Sequence, residues 1–518
     1  MMADTRCLDG GGAGKAIGSP SRWWPLIGIA FLCVMALWLF TRENAFPYFY
    51  HPDEPDKVDQ VITEDWNFHH PLLMLGTAEL VKKALHLPDQ EQRIVIMGRW
   101  VSASFEVGAV LAFALLGWAV RGPAGGTVGA LLATQHQVFE LAHYLKEDTA
   151  LLFAIGVAFL AIHSYWRRRD GLAAALAGGA CGLCLSAKYL GAVMLVPALV
   201  IFIASQRRHG RRAAHCLLLV GGYVFVAVAV NWPMLLRFAS FRHSLARETA
   251  LVADPNTGLS GQVPIFEYVR MFVVNTNPVV WVLLIAEIVA HWLARRERDA
   301  FDWLMLAFPF AFTLLLSCST KTNDRYFLPV TAGCYYLAAL GALDLPRLLG
   351  LRGTRQVAVA TAMLAGIFVW NLADTWTYLN AFAHDDRAML LDAIRAQVPA
   401  DATIAAEEQA ELPNPDRPKR LVIQPLLAQK VMRVQLAAEL GDTPGALAAK
   451  GIDYIVISES DYGRFFRKAA AHLKPDMMRK KEFYETLFSE AAPMTSFPRG
   501  TVLYLHPGLR LYALKGLK

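Results

Sequence analysis

The sequence has 518 residues, of which 55% are hydrophobic and 18% are charged, and its mean hydropathy is +0.34. This balance excludes a disordered chain and differs from that of a soluble multidomain enzyme. The formal net charge of +6 does not indicate nucleic-acid binding, because the basic residues lie in short clusters between apolar runs. The sequence therefore predicts an integral membrane protein.

Residues 1–22 are rich in glycine and predict a flexible cytoplasmic tail ahead of a first apolar run at 23–40. A bilayer-crossing helix needs about 20 apolar residues, and we expect about eleven such spans within 23–373. The later runs are at 95–119, 124–141, 149–166, 171–187, 189–205, 213–232, 274–293, 300–318, 326–345 and 356–373.

Arginine clusters fall on alternate connections between the apolar runs, which places those connections in the cytoplasm by the positive-inside rule. They occur at 121, 167–169, 207–212, 295–298 and 347–355. The other connections are then outer loops, at 42–94, 142–148, 233–273 and 319–325. An odd number of spans puts the tail, residues 374–518, on the outer side as well.

The tail has charges of mixed sign and contains no cysteine, which predicts a folded extracytoplasmic domain of the α/β or α+β class. The spacing at 431–440 (VMRVQLAAEL) predicts a helix, and 451–460 (GIDYIVISES) predicts a strand. The stretches TVLYLHP and LRLYAL predict closing strands.

The first outer loop is the strongest candidate for a reactive site. Asp53 and Glu54 follow the aromatic residues 48–50, where partial desolvation can tune a carboxylate as a base. The alternative is a solvated acidic loop in which Asp53 caps the helix that begins near Pro55. From Pro71 onward the sequence predicts an amphipathic helix that lies flat on the membrane.

The other short outer turns also carry charge. Asp148 either caps the next helix or takes part in a site, and Lys188 either extends to the membrane surface or joins that site. Lys321 and Arg325 are cations on the outer side, and a phosphate is their natural ligand, although a salt bridge would explain them too. Cys181 and Cys184 form a C-x-x-C inside an apolar run, where we expect them to serve helix packing.

Five motifs together resemble the GT-C superfamily of polytopic glycosyltransferases, in its family 39 and protein-mannosyltransferase-like branch, which includes aminoarabinose transferases. The resemblance covers about residues 1–373 and extends more weakly to GIDYIVISESDYGRF in the tail. In chain order the motifs are HPDE, NFHHP, AHYLKED, SAKYLGAVMLVP and KTNDRYFLPV.

The resemblance implies a sugar donor on a polyprenyl phosphate and a protein, glycan or lipid acceptor. Asp53 matches the family's base, Glu54 is a helper or metal contact, and Asp148 matches a second acidic position. The donor phosphate is assigned to Lys321, Arg325, Tyr326, Lys146 and Lys188.

One departure from the family pattern concerns histidine. His51 precedes the acidic pair and His69 and His70 follow it, so these three residues are candidates for contacts to the acceptor or to a divalent metal ion. No other cofactor is expected.

The expected function is inverting glycosyl transfer on the outer face of a bacterial inner membrane, with Asp53 as general base. A transporter or flippase of lipid-linked sugars is the alternative. The gathering of polar residues at the outer ends of the spans favours the enzyme.

Overall fold

The computed structural model describes residues 24–45, 49–206, 212–253, 263–319, 322–412, 427–466, 475–500, 502 and 504–516. The predicted cytoplasmic tail 1–22 lies outside these residues, and so does Lys321. Their predicted roles stay predictions.

Most of the described chain up to residue 383 is helical. The helices are α1 (Trp24–Thr41), α2 (Glu54–Thr63), α3 (Leu73–Ala84), α4 (Glu91–Arg121), α5 (Thr127–Ala133), α6 (His136–Ala142), α7 (Glu147–Arg168), α8 (Gly171–Ala187), α9 (Leu195–Gln206), α10 (Arg212–Val230), α11 (Trp232–Leu236), α12 (Phe238–Ala253), α13 (Pro264–Asn275), α14 (Pro278–Leu293), α15 (Ala300–Leu316), α16 (Leu328–Leu348) and α17 (Gly353–Ala383).

The apolar helices match the predicted runs. Among the described residues, five helices are long and apolar enough to cross a membrane, or six if the bent pair α13–α14 counts as one span, and shorter apolar helices of 10–17 residues accompany them. Each predicted run overlaps one of these helices or the bent pair, and the number of eleven spans stays a prediction. The polytopic helical class is thus confirmed.

Two of the predicted runs are not single straight helices. The run at 124–141 is interrupted after α5, because Gln135 adopts an extended backbone and its side chain accepts a hydrogen bond from Val138 N at 2.9 Å, which starts α6. Helices α13 and α14 meet at 116°, with the α14 N-terminus capped by Asn277. At both breaks, a side chain caps the N-terminus of the helix that follows.

Helices α8 and α10 pack closely through glycine. A Cβ atom added at Gly178 would lie 1.8 Å from the Leu219 carbonyl oxygen, and one at Gly182 would lie 2.4 Å from the Tyr223 oxygen. Cys181 and Cys184, on the same helix, are fully buried, and Cys181 Sγ donates to the Met194 carbonyl at 3.2 Å. Small residues therefore set the distance between these helices.

The tail contains α18 (Asp386–Gln397) and a mixed sheet with α-helices, within the α/β or α+β class that was predicted. In the described residues the strand order is β2-β1-β3-β5-β4, with β1 parallel to β2 and β3, and with β5 antiparallel to β3 and β4. The remaining elements are β1 (Thr403–Glu407), β2 (Lys430–Val434), α19 (Pro444–Ala449), β3 (Tyr454–Ser458), α20 (Glu459–Tyr462), α21 (Pro475–Glu490), β4 (Thr495–Ser496) and β5 (Leu509–Ala513).

The helix predicted at 431–440 was wrong, because its first half forms β2 and its second half contains only a short 3-10 helix, Ala437–Glu439. Val431 pairs with Ile404 of β1 and is almost fully buried, so pairing with the neighbouring strand overrides the local helical spacing. The strand predicted at 451–460 is confirmed as β3. The strand predicted from LRLYAL is confirmed as β5.

The tail is continuous with the helical bundle. Helix α17 runs across the predicted domain boundary at 373–374 and ends at Ala383. Immediately afterwards, the buried Arg387 guanidinium pairs with Asp385 at 2.6 Å and donates to the Phe49 carbonyl at 2.7 Å. The tail is therefore attached to the end of the bundle where the first loop lies.

The α8–α10 contact yields a stability prediction. Gly178→Ala should lower the free energy of unfolding by about 1–3 kcal/mol, because the new methyl group meets backbone that has no room to yield. Gly221→Ala is the matched control on α10, since a Cβ there meets no atom within 4 Å. Thermal unfolding in detergent measures both, and equal midpoints for the two variants would contradict the packing described.

Candidate active site

Asp53 lies at the residue before α2, and its side chain faces outward from the loop. Although Asp53 occupies the N-cap position, its side chain makes no capping hydrogen bond. Its carboxylate instead pairs with Lys146 Nζ and lies 3.9 Å from Arg325 Nη1. The side chain is 44% exposed, so it remains accessible to a ligand.

Glu54 is turned the other way, into the protein. Its carboxylate is fully buried and receives Arg99 through two hydrogen bonds of 3.0 and 2.9 Å. The backbone N–H groups of Tyr50 and Leu145 donate to it as well, at 2.6 and 2.9 Å. Glu54 is therefore occupied in holding the first loop against α4 and the turn before α7.

The charges around Asp53 control its protonation. Burial alone would raise the pKa of the Asp53 carboxyl, but the positive charge and hydrogen bond of Lys146 outweigh burial and hold this pKa well below its usual range. Burial and the neighbouring cations Lys57 and Arg325 lower the pKa of Lys146 to about 8, although Glu147 opposes the shift. Asp53 is thus an ionised carboxylate at physiological pH.

His51 forms a hydrogen bond with Arg325. Arg325 Nη1 donates to His51 Nε2 at 2.8 Å, and since arginine keeps its proton, Nε2 must be unprotonated to accept. Burial first, and then the charge of Lys146, lower the pKa of His51 well below its ordinary value. The neutral imidazole is thus a stable acceptor for the guanidinium.

A second ion pair lies beside the first. Lys188 Nζ contacts Asp148 Oδ1 at 2.6 Å, and both side chains are largely buried. The Lys188 ammonium also lies 4.6 Å from the centre of the Tyr326 ring, on which the Arg325 guanidinium packs at 5.4 Å. Both cations therefore contact the Tyr326 ring, and all three residues line the same cavity.

The two histidines after the first loop contact carboxylates. His70 Nε2 lies 2.9 Å from Glu147 Oε1, and Lys57 Nζ pairs with the other oxygen of Glu147. Burial lowers the pKa of His70, against the opposing effect of Glu147. His69 Nδ1 lies 2.9 Å from Glu248 on α12, so all four predicted outer loops contribute to one end of the bundle.

Several of these groups line a cavity of about 700 Å³. Its lining combines carboxylates and cations with apolar side chains, and it includes residues of α12 and of the end of α15. The charged lining residues are Asp53, Asp56, Lys57, His69, His70, Glu147, Lys188, Arg247, Glu248 and Arg325, and the apolar ones include Leu245, Leu315 and Leu316.

The predicted metal ligands are distributed among separate partners. His51 contacts Arg325, His69 contacts Glu248 and His70 contacts Glu147. Within the part of the chain that the structure describes, no three His, Cys, Asp or Glu side chains are grouped so that they could hold a metal ion. The charges next to the exposed carboxylate are instead those of lysine and arginine.

Comparison with solved structures identifies the fold. ArnT from Cupriavidus metallidurans bound to undecaprenyl phosphate superposes with a TM-score of 0.54 at 14% identity, covering 96% of this chain and 99% of that one. The archaeal oligosaccharyltransferase AglB from Archaeoglobus fulgidus, in complex with an inhibitory peptide and a dolichol-phosphate, superposes with a TM-score of 0.52 at 12% identity. The match covers 88% of this chain and 72% of that one. The chain has the GT-C fold. No protein-family model and no curated protein sequence matches it.

Within this GT-C fold, most of the predicted site residues come together. One group of five comprises Asp53, Lys146 and Arg325 with His51 and Tyr326. It adjoins the Asp148–Lys188 pair and the His70–Glu147 pair. Glu54 is next to Asp53 in the sequence, but its buried side chain does not line the cavity. His69 lies at the α12 side of the cavity.

Sequence reasoning did not assign several charged lining residues to the site, among them Lys57 and Glu147. Lys57 stands one helical turn after Asp53, so helical periodicity could have placed it on the same face. Glu147 lies between the two residues that were singled out in the second outer turn. Their mutual ion pair spans 90 positions of the chain, and this pairing carries no local signal.

The Glu54–Arg99 pair predicts a specific loss of stability. Glu54→Gln should lower the free energy of unfolding by about 3–5 kcal/mol, because it leaves a fully buried guanidinium without its countercharge. Glu79→Gln is the control, since it removes the same charge from an ion pair on α3 whose partner Lys83 is half exposed. A thermal unfolding midpoint for Glu54→Gln equal to that of Glu79→Gln would contradict this assignment.

Proposed function

We propose that the protein is a membrane glycosyltransferase that moves a sugar from a polyprenyl-phosphate donor to an acceptor hydroxyl, with Asp53 as general base. The observation that carries the proposal is the exposed Asp53 carboxylate in a cavity whose lining also includes two cations, Arg325 and Lys188, and apolar side chains. A lipid phosphate combines an anion with a long apolar chain. That combination matches the cationic and apolar side chains that line the cavity.

The arrangement suits an inverting displacement. The acceptor oxygen forms a bond to the anomeric carbon of the sugar as its proton passes to Asp53, and the bond from that carbon to the phosphate oxygen breaks. The lipid phosphate leaves with the electron pair, and Arg325 and Lys188 stabilise its charge. Arginine offers a two-pronged contact to phosphate, and lysine offers a point charge.

The donor can also prepare the base. In the free protein, nearby cations hold the pKa of Asp53 below its usual range, which makes it a weak proton acceptor. A bound phosphate adds negative charge beside Arg325, and this charge opposes the field that the cations exert on Asp53. The basicity of Asp53 therefore rises when the donor is present.

The solved structures with this fold support the class of donor. The ArnT structure is bound to undecaprenyl phosphate, and the AglB structure is in complex with a dolichol-phosphate. We extend this ligand class to the present chain because its cavity carries cations and apolar side chains. The alternating arginine clusters support a position of the cavity on the outer, periplasmic face of a bacterial inner membrane.

The central test is sugar transfer by the purified protein in lipid vesicles. The donors are undecaprenyl-phosphate-linked hexoses and pentoses, and the acceptors are the glycan, lipid and protein fractions of the host membrane. Asp53→Asn should reduce kcat by about 10²–10⁴, the usual effect of removing a positioned base, and should still bind undecaprenyl phosphate. Transfer rates and lipid binding are measured in parallel.

Asp59→Asn is the matched control, because Asp59 is exposed on the same helix and is not part of the cavity lining. It should retain wild-type kcat. Transfer by Asp53→Asn within a few-fold of wild type would remove Asp53 from the mechanism. Movement of the lipid-linked sugar across the vesicle membrane, with its sugar–phosphate bond intact, would favour the transporter.

The orientation makes a separate prediction. In a cysteine-free background, Asp59→Cys in the first loop and Asp442→Cys in the tail should both react with a membrane-impermeant maleimide on intact spheroplasts, because both sites are predicted to be outside. Arg352→Cys, which precedes α17 at the other end of the bundle, should react only after lysis. Labelling of Arg352→Cys on intact spheroplasts would contradict the proposed orientation.

A further inference from the structure

The segment between β4 and β5 leaves the tail's sheet and enters the helical bundle. Val502 and Leu505 are fully buried in the same hydrophobic cluster as the membrane helices. The Leu505 carbonyl accepts a hydrogen bond from Asp386 N at 3.3 Å, and His506 Nε2 lies 2.7 Å from the His384 carbonyl oxygen. The segment is therefore fixed to the end of α17.

This anchoring brings Tyr504 into the candidate active site. Its ring centre lies 4.7 Å from that of His51, with an angle of 60° between the planes. Tyr144 contacts the same imidazole at 5.4 Å and also meets Tyr504 at 6.2 Å. His51 is thus packed against one tyrosine from the bundle and one from the tail, and it is 4% exposed.

The imidazole in turn supports Arg325. The hydrogen bond from Arg325 Nη1 to His51 Nε2 fixes a long side chain that has many rotamers when free. It also leaves the guanidinium 3.9 Å from Asp53 Oδ2. The His51 ring therefore helps to hold the guanidinium in place, together with the contact to the Tyr326 ring.

We propose that Tyr504 is a positioning residue, through which the C-terminal domain holds His51 and thereby Arg325 in place for the lipid phosphate. The inference rests on the proposed function, since it assigns Arg325 to that ligand. Without the phenyl ring, one face of the imidazole loses its packing and the ring can turn away. Arg325 then loses its hydrogen-bond acceptor. Ordering its freed side chain when the ligand binds costs free energy, and the affinity for the ligand falls.

The contact with His51 is made by the ring of Tyr504, and so the ring alone should suffice. Tyr504→Ala should weaken binding of undecaprenyl phosphate about tenfold, an effect within the range that contacting side chains show in double-mutant cycles. Tyr504→Phe should bind within about twofold of wild type. The double variant His51→Ala/Tyr504→Ala should be no weaker than His51→Ala, because both act through the same contact.

Binding of undecaprenyl phosphate to the full chain in nanodiscs measures all of these variants. Phe488→Ala is the control, because it removes an aromatic ring from the tail's own core, where Phe488 packs on Tyr462 and Tyr484. If Tyr504→Ala merely loosened the tail, Phe488→Ala would weaken binding equally, and this result would overturn the inference. Additive losses in the double variant would overturn it too.

The same measurement separates this inference from the proposed function. If the wild-type protein does not bind undecaprenyl phosphate, the proposed function fails and the inference fails with it. If the wild type binds and Arg325→Ala binds equally well, the phosphate is not held by Arg325 and the inference is wrong. If Arg325→Ala is weakened and Tyr504→Ala is not, the proposed function stands and the role of Tyr504 is refuted.

Discussion

The buried ion pair between Glu54 and Arg99 is the interaction on which the candidate site depends. A carboxylate with no exposed surface must be compensated, and here the guanidinium and the backbone N–H groups of Tyr50 and Leu145 compensate it. These contacts join the first loop, α4 and the turn before α7. Consecutive residues on a helix point about 100° apart. With Glu54 fixed inward, Asp53 is directed to the cavity.

Much of the site could be predicted from the sequence because a membrane restricts the geometry. Apolar runs of spanning length force alternate connections to the same end, so Asp53, Lys146, Lys188 and Arg325 were expected at one end of the bundle. The sequence could not assign different places to Asp53 and Glu54, which are adjacent and chemically alike. The partner that distinguishes them, Arg99, lies within the long helix α4, and the contact between them is purely tertiary.

The fold of the tail was less predictable from the sequence, because it also depends on tertiary contacts. At 431–434 the local spacing favours a helix, but pairing with β1 makes it a strand. The alternation in TVLYLHP is typical of a strand. Its described residues Val502 and Leu505 instead pack among the membrane helices. Apolar side chains can be buried against the tail's own sheet or against the membrane helices, and the local sequence pattern is the same in both cases.

That shared packing has a consequence for how the protein can change. A tail whose apolar residues complete the core of the bundle cannot be exchanged as an independent module. A tail taken from a related protein would have to bring its own β4–β5 segment together with the matching end of α17. Substitutions on the two sides of this junction should therefore occur in correlated pairs during divergence. Exposed strand edges and helices of the tail should vary freely.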